Sequence, residues 1–361
     1  MLKLVNKFAN FNEVEVICFK SEITNENTKI NLLHAPALKP YVLQNLVYRS
    51  KIQRLLNEKI RSGQVYDSIV SSDPAIKIPV GLSVNPPIIV IHFSNISYLK
   101  KIIKNKLFYK KEAGYIFIRY GITGFLKNII GSIIELLSIN NFKTSRIIAV
   151  SEGMSKDISE NNSIDINSIT VIHNSSDDSI SDIHNERDID IITVAHGDWG
   201  RKGIVKFLEI ASSFREKKIV VVGGGNLNRM REIARTLNAD NVEFVGYRKN
   251  VRDYMDRSKV YVSTSVYEAF PLVFLEAASS GCVLASTVTN GVEDWQAGQK
   301  VILEITENNY YLNDLKRLLD NQEFRKDQSI ATMRKLHLFS ESNMIEKYAD
   351  LLKINNGEGQ K

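Results

Sequence analysis

Residues 263–286, STSVYEAFPLVFLEAASSGCVLAS, set two carboxylates eight positions apart, Glu268 and Glu276. The β-branched and aromatic run Lys259 to Val262 before them predicts a strand. Pro271 suits the first turn of a helix, where a missing N–H leaves nothing unpaired. Good helix formers continue through Ala278, Gly281 stops the helix, and Val283 to Ala285 resume as a strand. Glu268 therefore falls in the loop at a strand end, and Glu276 about one and a half turns into the helix. A helix start flanked by acids is a poor seat for a free anion. It suits a sugar ring or a ribose, whose hydroxyls donate to carboxylates. The spacing by itself also fits two solvated acids on a surface turn.

Further candidate residues surround this pair. Residues 196–203, HGDWGRKG, lie between a predicted strand, Asp190 to Ala195, and a helical stripe of Ile204, Phe207, Leu208, Ala211 and Phe214. Arg201 and Lys202 stand just before that helix, where backbone N–H groups and the helix dipole favour a phosphate. The strand Lys218 to Val222 runs into Gly223-Gly224-Gly225, which either lets a ligand approach the backbone or simply makes a tight turn. A helix over Asn226 to Leu237 and a strand over Val242 to Val245 lead to Gly246-Tyr247-Arg248. Earlier, Pro87 to His92 is an apolar run suited to a buried parallel strand. Open α/β sheets seat ligands beyond the carboxyl ends of their strands, so His92 either reaches a cleft or packs at its strand end.

The elements that must position these residues alternate β and α from Asp190 to Ser286, which argues a parallel sheet wound by right-handed crossovers. In the first half, strands are predicted over Val14 to Phe19, Tyr66 to Val70, Arg146 to Ser151 and Ile169 to His173. Helices are predicted over Leu2 to Phe11, from Gly153 onward, and over Leu312 to Leu319 and Glu341 to Leu352. At 361 residues, 43% hydrophobic and 24% charged, the chain suits two soluble domains with separate cores. The expected division is 1–176, an acidic linker 177–188, then 189–340 and a final helix with its tail, 341–361. No run of 18 apolar residues occurs. Cys18 and Cys282 sit in apolar, strand-like contexts and read as inert core thiols of a reducing compartment.

The succession Ser265, Glu268, Phe270-Pro271-Leu272-Val273, Glu276-Ala277 and Gly281 resembles the Glu-x7-Glu signature of family 4 glycosyltransferases. The resemblance implies an α/β protein of the GT-B fold: two Rossmann-like domains whose parallel sheets face each other across a cleft, with the last helix crossing back onto the first domain. It implies transfer of a sugar from a UDP or GDP donor with retention, probing three residues as catalytic: Glu268, His92 and Lys202. Lys202 matches the family's diphosphate-binding lysine. The arginine six positions earlier is replaced by His196, with Arg201 as a substitute cation. Glu276 would hold the ribose and Glu268 the donor sugar, while amides of Phe270, Leu272 and Val273 meet sugar or phosphate oxygens. Gly224 would admit the ligand to the backbone, and Tyr247 and Arg248 would border the base. Asn174-Ser175-Ser176-Asp177 resembles the family's Asn-Gly-x-Asp passage into the linker, with Ser175 for glycine. The leaving phosphate can take the acceptor's proton, so no protein nucleophile and no cofactor are implied. With no Asp-x-Asp pair in a suitable place, no bound metal is expected.

The net charge of +6 and a pI of about 9.0 admit several anionic partners. Lys100 to Lys127 carry eight basic residues against one acid, Glu112, interleaved with aromatics such as Phe108, Tyr109 and Tyr115. This segment is either a face for an anionic membrane surface or a solvated helix face beside core aromatics. No RNP, helix-turn-helix or zinc pattern accompanies the charge, so no nucleic acid is expected. The implied acceptor is a glycan or lipid-linked glycan of cell-surface polysaccharide synthesis. The first residues do not read as a secretory signal, and the expected location is cytoplasmic, peripheral on the inner face of the plasma membrane. The family's opening strand and glycine-rich loop do not precede the Leu2 to Phe11 helix in this sequence. A first domain short of one strand, and weak catalysis, are the resulting expectations. A sugar-nucleotide epimerase or phosphorylase of the same fold and an inactive GT-B scaffold are the alternative readings.

Overall fold

The computed structural model describes residues 2–10, 12–18, 28–32, 41–104, 128–175, 186–196 and 199–352. The basic aromatic segment from 105 onward, residues 177–185 of the expected linker and the tail after 352 lie outside these.

Among the described residues, twelve strands form three parallel sheets. β1 (Val14–Cys18) pairs with β2 (Thr28–Leu32). β3 (Val70–Ser71), β4 (Ile88–Ile91), β5 (Arg146–Ala149) and β6 (Ile169–Val171) form a second sheet in that order. The third sheet holds β7 (Ile189–Val194), β8 (Ile219–Val222), β9 (Val242–Gly246), β10 (Ser258–Ser263), β11 (Val283–Thr287) and β12 (Ile302–Ile305), in the order β12-β11-β10-β7-β8-β9. Each strand of this sheet is followed by a helix, so both faces are covered. That is why β8 reads as an unbroken apolar run, Ile-Val-Val-Val, and is buried throughout. One core lies on the face carrying Phe207, Leu208, Phe244 and Leu315. A second core is shared by the two large sheets. It joins Ile88 to Ile91 and Ile147 to Val150 with Tyr267, Phe270, Phe274, Trp295 and Phe339.

The two halves meet along a seam of close contacts. Ser151 starts the helix Glu152–Asn162; its Oγ accepts from the amide of Met154 at 3.1 Å and donates to the carbonyl of Ala269 at 2.6 Å. That helix crosses the helix Asn290–Gln296 so closely that a Cβ on Gly153 would lie 2.7 Å from Cα of Asn290. Asp294 accepts from the amide of Glu152 at 3.2 Å, and Asn290 donates to Asp157 at 2.5 Å. The last helix, Glu341–Leu352, buries Met344, Ile345, Tyr348 and Leu352, and its Leu351 carbonyl accepts from Arg146 Nη1 at 2.8 Å. It therefore lies on the first half of the chain.

The predicted strand over Tyr66 to Val70 forms only at its end. Tyr66 is drawn aside instead: its amide donates to the carbonyl of Leu82, its backbone forms an isolated bridge with Ser83, and its hydroxyl donates to Glu15. The same Glu15 carboxylate takes Lys59 Nζ at 2.8 Å and holds β1 onto the helix Tyr41–Arg61. Cys282 is buried, and desolvation pushes its thiol up to about 12. The side chain of Cys18 lies outside the described set.

Arg187, nearly buried, leads into the third sheet just before β7. It donates to the carbonyls of Ser258 at 2.5 Å and Ser280 at 2.7 Å, beside Cys282. Removing it strands buried carbonyls, each costing about 1–3 kcal/mol. Arg187→Ala should therefore lower stability in urea unfolding by about 3 kcal/mol. The exposed Arg215→Ala should stay within about 0.5 kcal/mol of the wild type. Equal effects of the two would refute the role given to Arg187.

Candidate active site

In the third sheet the chain runs from β7 through β8 to β9 on one side, then returns to lay β10 on the other side of β7. The loops after β7 and β10 leave in opposite directions, and the crevice between such loops is where open α/β sheets seat ligands. These are the loops that carry Arg201, Lys202 and Glu268.

The three side chains converge. Glu268 Oε1 accepts from Lys202 Nζ at 2.6 Å, from Arg201 Nη1 at 3.0 Å and from Ser265 Oγ at 3.0 Å. Arg201 also donates to the carbonyl of Tyr267 at 3.2 Å and accepts through its own carbonyl from the amide of Val266 at 2.8 Å. Thr264 Oγ1 donates to the carbonyls of Lys202 at 3.1 Å and Gly203 at 2.8 Å. Gly203 has φ of +60°, and a Cβ there would lie 2.0 Å from the carbonyl oxygen of Thr264. Only glycine permits the two loops to approach this closely. Two cations thus share one carboxylate in a partly shielded place, where screening is weaker than in bulk water.

Glu276 is exposed on the helix Leu272–Ser279, which begins directly after Pro271. Leu272 is exposed and Val273 half-buried. The Phe270 ring is buried, 5.3 Å from His173 and 5.2 Å from Phe339, so it anchors the loop and cannot itself meet a substrate. His196 is exposed beside Tyr247, with ring centroids 5.4 Å apart, and its Nδ1 accepts from the amide of Gly224 at 3.2 Å. This bond ties the exposed imidazole to the glycine turn after β8. An accepting Nδ1 leaves Nε2 to carry the ring proton of the neutral form. Tyr247 is exposed, and Arg248 donates to the hydroxyl of Tyr254 at 3.0 Å and to the carbonyl of Tyr247 at 3.1 Å. Trp199, fully buried, lies against Gly225.

His92 follows β4 in the first half of the chain, and desolvation lowers its pKa, which favours the neutral imidazole. Its turn is tied to the Glu268 loop through one residue that the sequence reading passed over. Tyr267 is fully buried and reaches across the seam. Its ring meets Phe93 edge-on at 5.0 Å, with Lys101 Nζ 5.3 Å from its centroid. Its hydroxyl accepts from the amide of Ser94 at 3.3 Å and points at Asp157 Oδ2, 3.5 Å away. Burial holds its pKa well above that of a free tyrosine. The signal available in sequence was a large aromatic directly before Glu268, on a loop otherwise rich in small hydroxyl residues.

Residues 176–334 match the family model described as glycosyl transferases group 1. A curated relative from Campylobacter jejuni, N,N'-diacetylbacillosaminyl-diphospho-undecaprenol alpha-1,3-N-acetylgalactosaminyltransferase, is 24% identical over 164 residues, covering 45% of this chain and 43% of the relative. An uncharacterized glycosyltransferase of Methanocaldococcus jannaschii is 28% identical over 114 residues, 31% of this chain and 26% of that protein. The chain thus aligns with less than half the length of these curated relatives. Among solved structures, WaaG, a glycosyltransferase involved in lipopolysaccharide biosynthesis, superposes with a TM-score of 0.67 at 15% identity, covering 98% of this chain and 94% of WaaG. Sucrose-phosphate synthase from Thermosynechococcus elongatus gives 0.72 at 14% identity, covering 97% and 91%. Anabaena HepE in complex with UDP and glucose gives 0.66 at 13% identity, covering 98% and 94%. The chain has the GT-B fold, and its residues 176–334 match the glycosyl transferases group 1 model.

Proposed function

We propose that this chain moves a sugar from a UDP or GDP donor to a glycan or lipid-linked glycan, with retention at the anomeric carbon, as an enzyme of the family 4, Glu-x7-Glu type. The observation that carries this reading is the convergence of Lys202 and Arg201 on Glu268 at the point where the strand order reverses. The domain match and the relatives named above support the donor and acceptor classes.

In this reading the donor diphosphate takes Lys202 and Arg201 as its counter-charges, and both cations exchange part of their hold on Glu268 for phosphate oxygens. As the bond from the anomeric carbon to the diphosphate breaks, negative charge grows on the leaving oxygen, and the two cations stabilise it. The acceptor hydroxyl attacks from the same face and its proton passes to the leaving phosphate, so the bond made and the bond broken balance without a protein nucleophile or a bound metal. Glu268 accepts from hydroxyls of the donor sugar, and Glu276 from the ribose. His92, exposed just after β4, lines the sugar's side of the cleft. His196 Nε2, Tyr247 and Arg248 border the nucleotide. A lipid-linked acceptor would hold the enzyme at the inner face of the plasma membrane. Transfer from a panel of labelled nucleotide sugars tests the whole reading: transfer is expected, whereas nucleotide binding without transfer would leave an inactive scaffold.

Two predictions follow from the charge arrangement. Lys202→Ala should weaken UDP or GDP binding by about 1.5–3 kcal/mol, the scale of a charge-assisted hydrogen bond. Unchanged affinity in titration calorimetry would remove Lys202 from the diphosphate site.

Glu276→Ala leaves the ribose hydroxyls without an acceptor and should weaken binding of the bare nucleotide. Glu268→Gln releases both cations from a carboxylate, so nucleotide affinity should hold or rise while turnover with the sugar donor falls. If both variants lose nucleotide affinity equally, the division of labour between the two glutamates is wrong.

A further inference from the structure

The three glycines after β8 form a bed for the chain that leaves β7. A Cβ on Gly223 would lie 1.8 Å from the carbonyl oxygen of Ala195. One on Gly224 would lie 3.2 Å from Cε1 of His196, and one on Gly225 2.1 Å from Nε1 of Trp199. Backbone without side chains lets the two segments touch at all three points. The bed is itself pinned. The amide of Ala195 donates to the carbonyl of Val222 at 2.9 Å, and the amide of Gly223 to the carbonyl of Gly246 at 2.9 Å. The ends of β7, β8 and β9 are thereby tied together.

Trp199 is where the loop with the two cations leaves this bed. Its carbonyl accepts from the amide of Ile204 at 3.1 Å, and the carbonyl of Gly200 accepts from the amide of Gly203 at 2.9 Å. Arg201 and Lys202 are thus borne on a closed turn between Trp199 and the start of the helix Ile204–Ser212. The β10 loop holds the far flank of this turn, through Thr264 on Gly203 and the amide of Val266 on the Arg201 carbonyl. On the near flank stands the indole, 3% exposed, with the ring of Phe244 from β9 6.2 Å away.

The indole is held there by shape. A buried tryptophan ordinarily gives its N–H to an acceptor. Nε1 of Trp199 is buried and has no hydrogen-bond partner among the described residues. A donor buried without an acceptor opposes folding. What favours the ring is its flat, rigid body, packed on Gly225 and beside Phe244.

We propose that Trp199 is a positioning residue for the diphosphate site. Its indole, seated on Gly225, sets where the turn carries Arg201 and Lys202, and so presents both cations to Glu268 and to the donor's phosphates. Charged groups stabilise a ligand best when packing behind them fixes their place beforehand. For the phosphates this rests on the transfer reading above; the hold on the turn is measurable without any ligand.

Trp199→Leu removes the flat ring, whereas Trp199→Phe keeps a flat ring and removes the unpaired N–H. Hydrogen exchange of the ligand-free chain reads the turn. In Trp199→Leu the amides of Gly203, Ile204 and Val266 should exchange about ten-fold faster than in wild type, while those of β8 stay within about two-fold. A side chain that only filled space would loosen β8 as well, because Ile219 and Val221 share its core. Trp199→Phe should match wild type at all these amides. Trp199→Met carries the leucine expectations if the leucine variant does not fold. In titration calorimetry Trp199→Leu should bind UDP or GDP about ten-fold more weakly, and Trp199→Phe should stay within about two-fold of wild type. Unchanged exchange in the turn, an equal rise in β8, or a phenylalanine variant as loose as the leucine one overturns the proposal. So does a loosened turn with unchanged nucleotide affinity, since the turn would then not place the cations. A wild type that binds neither nucleotide, with exchange as expected, would keep the hold on the turn and sink the transfer reading alone.

Discussion

Two neighbours in sequence with opposite tasks, Tyr267 and Glu268, are the constraint on which the site depends. Tyr267 goes into the first half of the chain, against Phe93, the amide of Ser94 and Asp157, and becomes fully buried. Glu268 turns the other way and collects Lys202, Arg201 and Ser265. The loop is gripped at one residue from each side, so a carboxylate at the end of β10 is held where the loop after β7 can reach it. Thr264 and Gly203 complete the grip through backbone contacts that tolerate no side chain at 203.

The location of this grip is a consequence of topology. β7 and β10 are neighbours although two strands, β8 and β9, and the intervening helices separate them in order, and it is at this one place in the sheet that consecutive strands lead away on both sides. Sequence-distant residues such as Arg201 and Glu268, 67 positions apart, can then share an oxygen.

Much of the second half was readable because both faces of its sheet are buried. Strands there must be continuous apolar runs, and the glycines and hydroxyl residues between them mark the loops. The Glu268–Glu276 spacing and the Lys202 loop are local patterns, so they were legible as well. What was not legible was non-local. Tyr66 looked like strand because its neighbours alternate, but Glu15, Leu82 and Ser83 claim its hydroxyl and backbone.

Ser151 carries a consequence of a different kind. Its one hydroxyl oxygen accepts from the third residue of its own helix while its proton is given to the carbonyl of Ala269 in the other half of the chain. These two bonds use separate parts of the same group, a lone pair and a hydrogen. Parting the halves would free the hydrogen for water and leave the lone pair where it is. The helix Glu152–Asn162 would keep its starting turn intact while its partner moved away. At Ser151, therefore, the bond across the seam can break without unwinding the helix start on its own side.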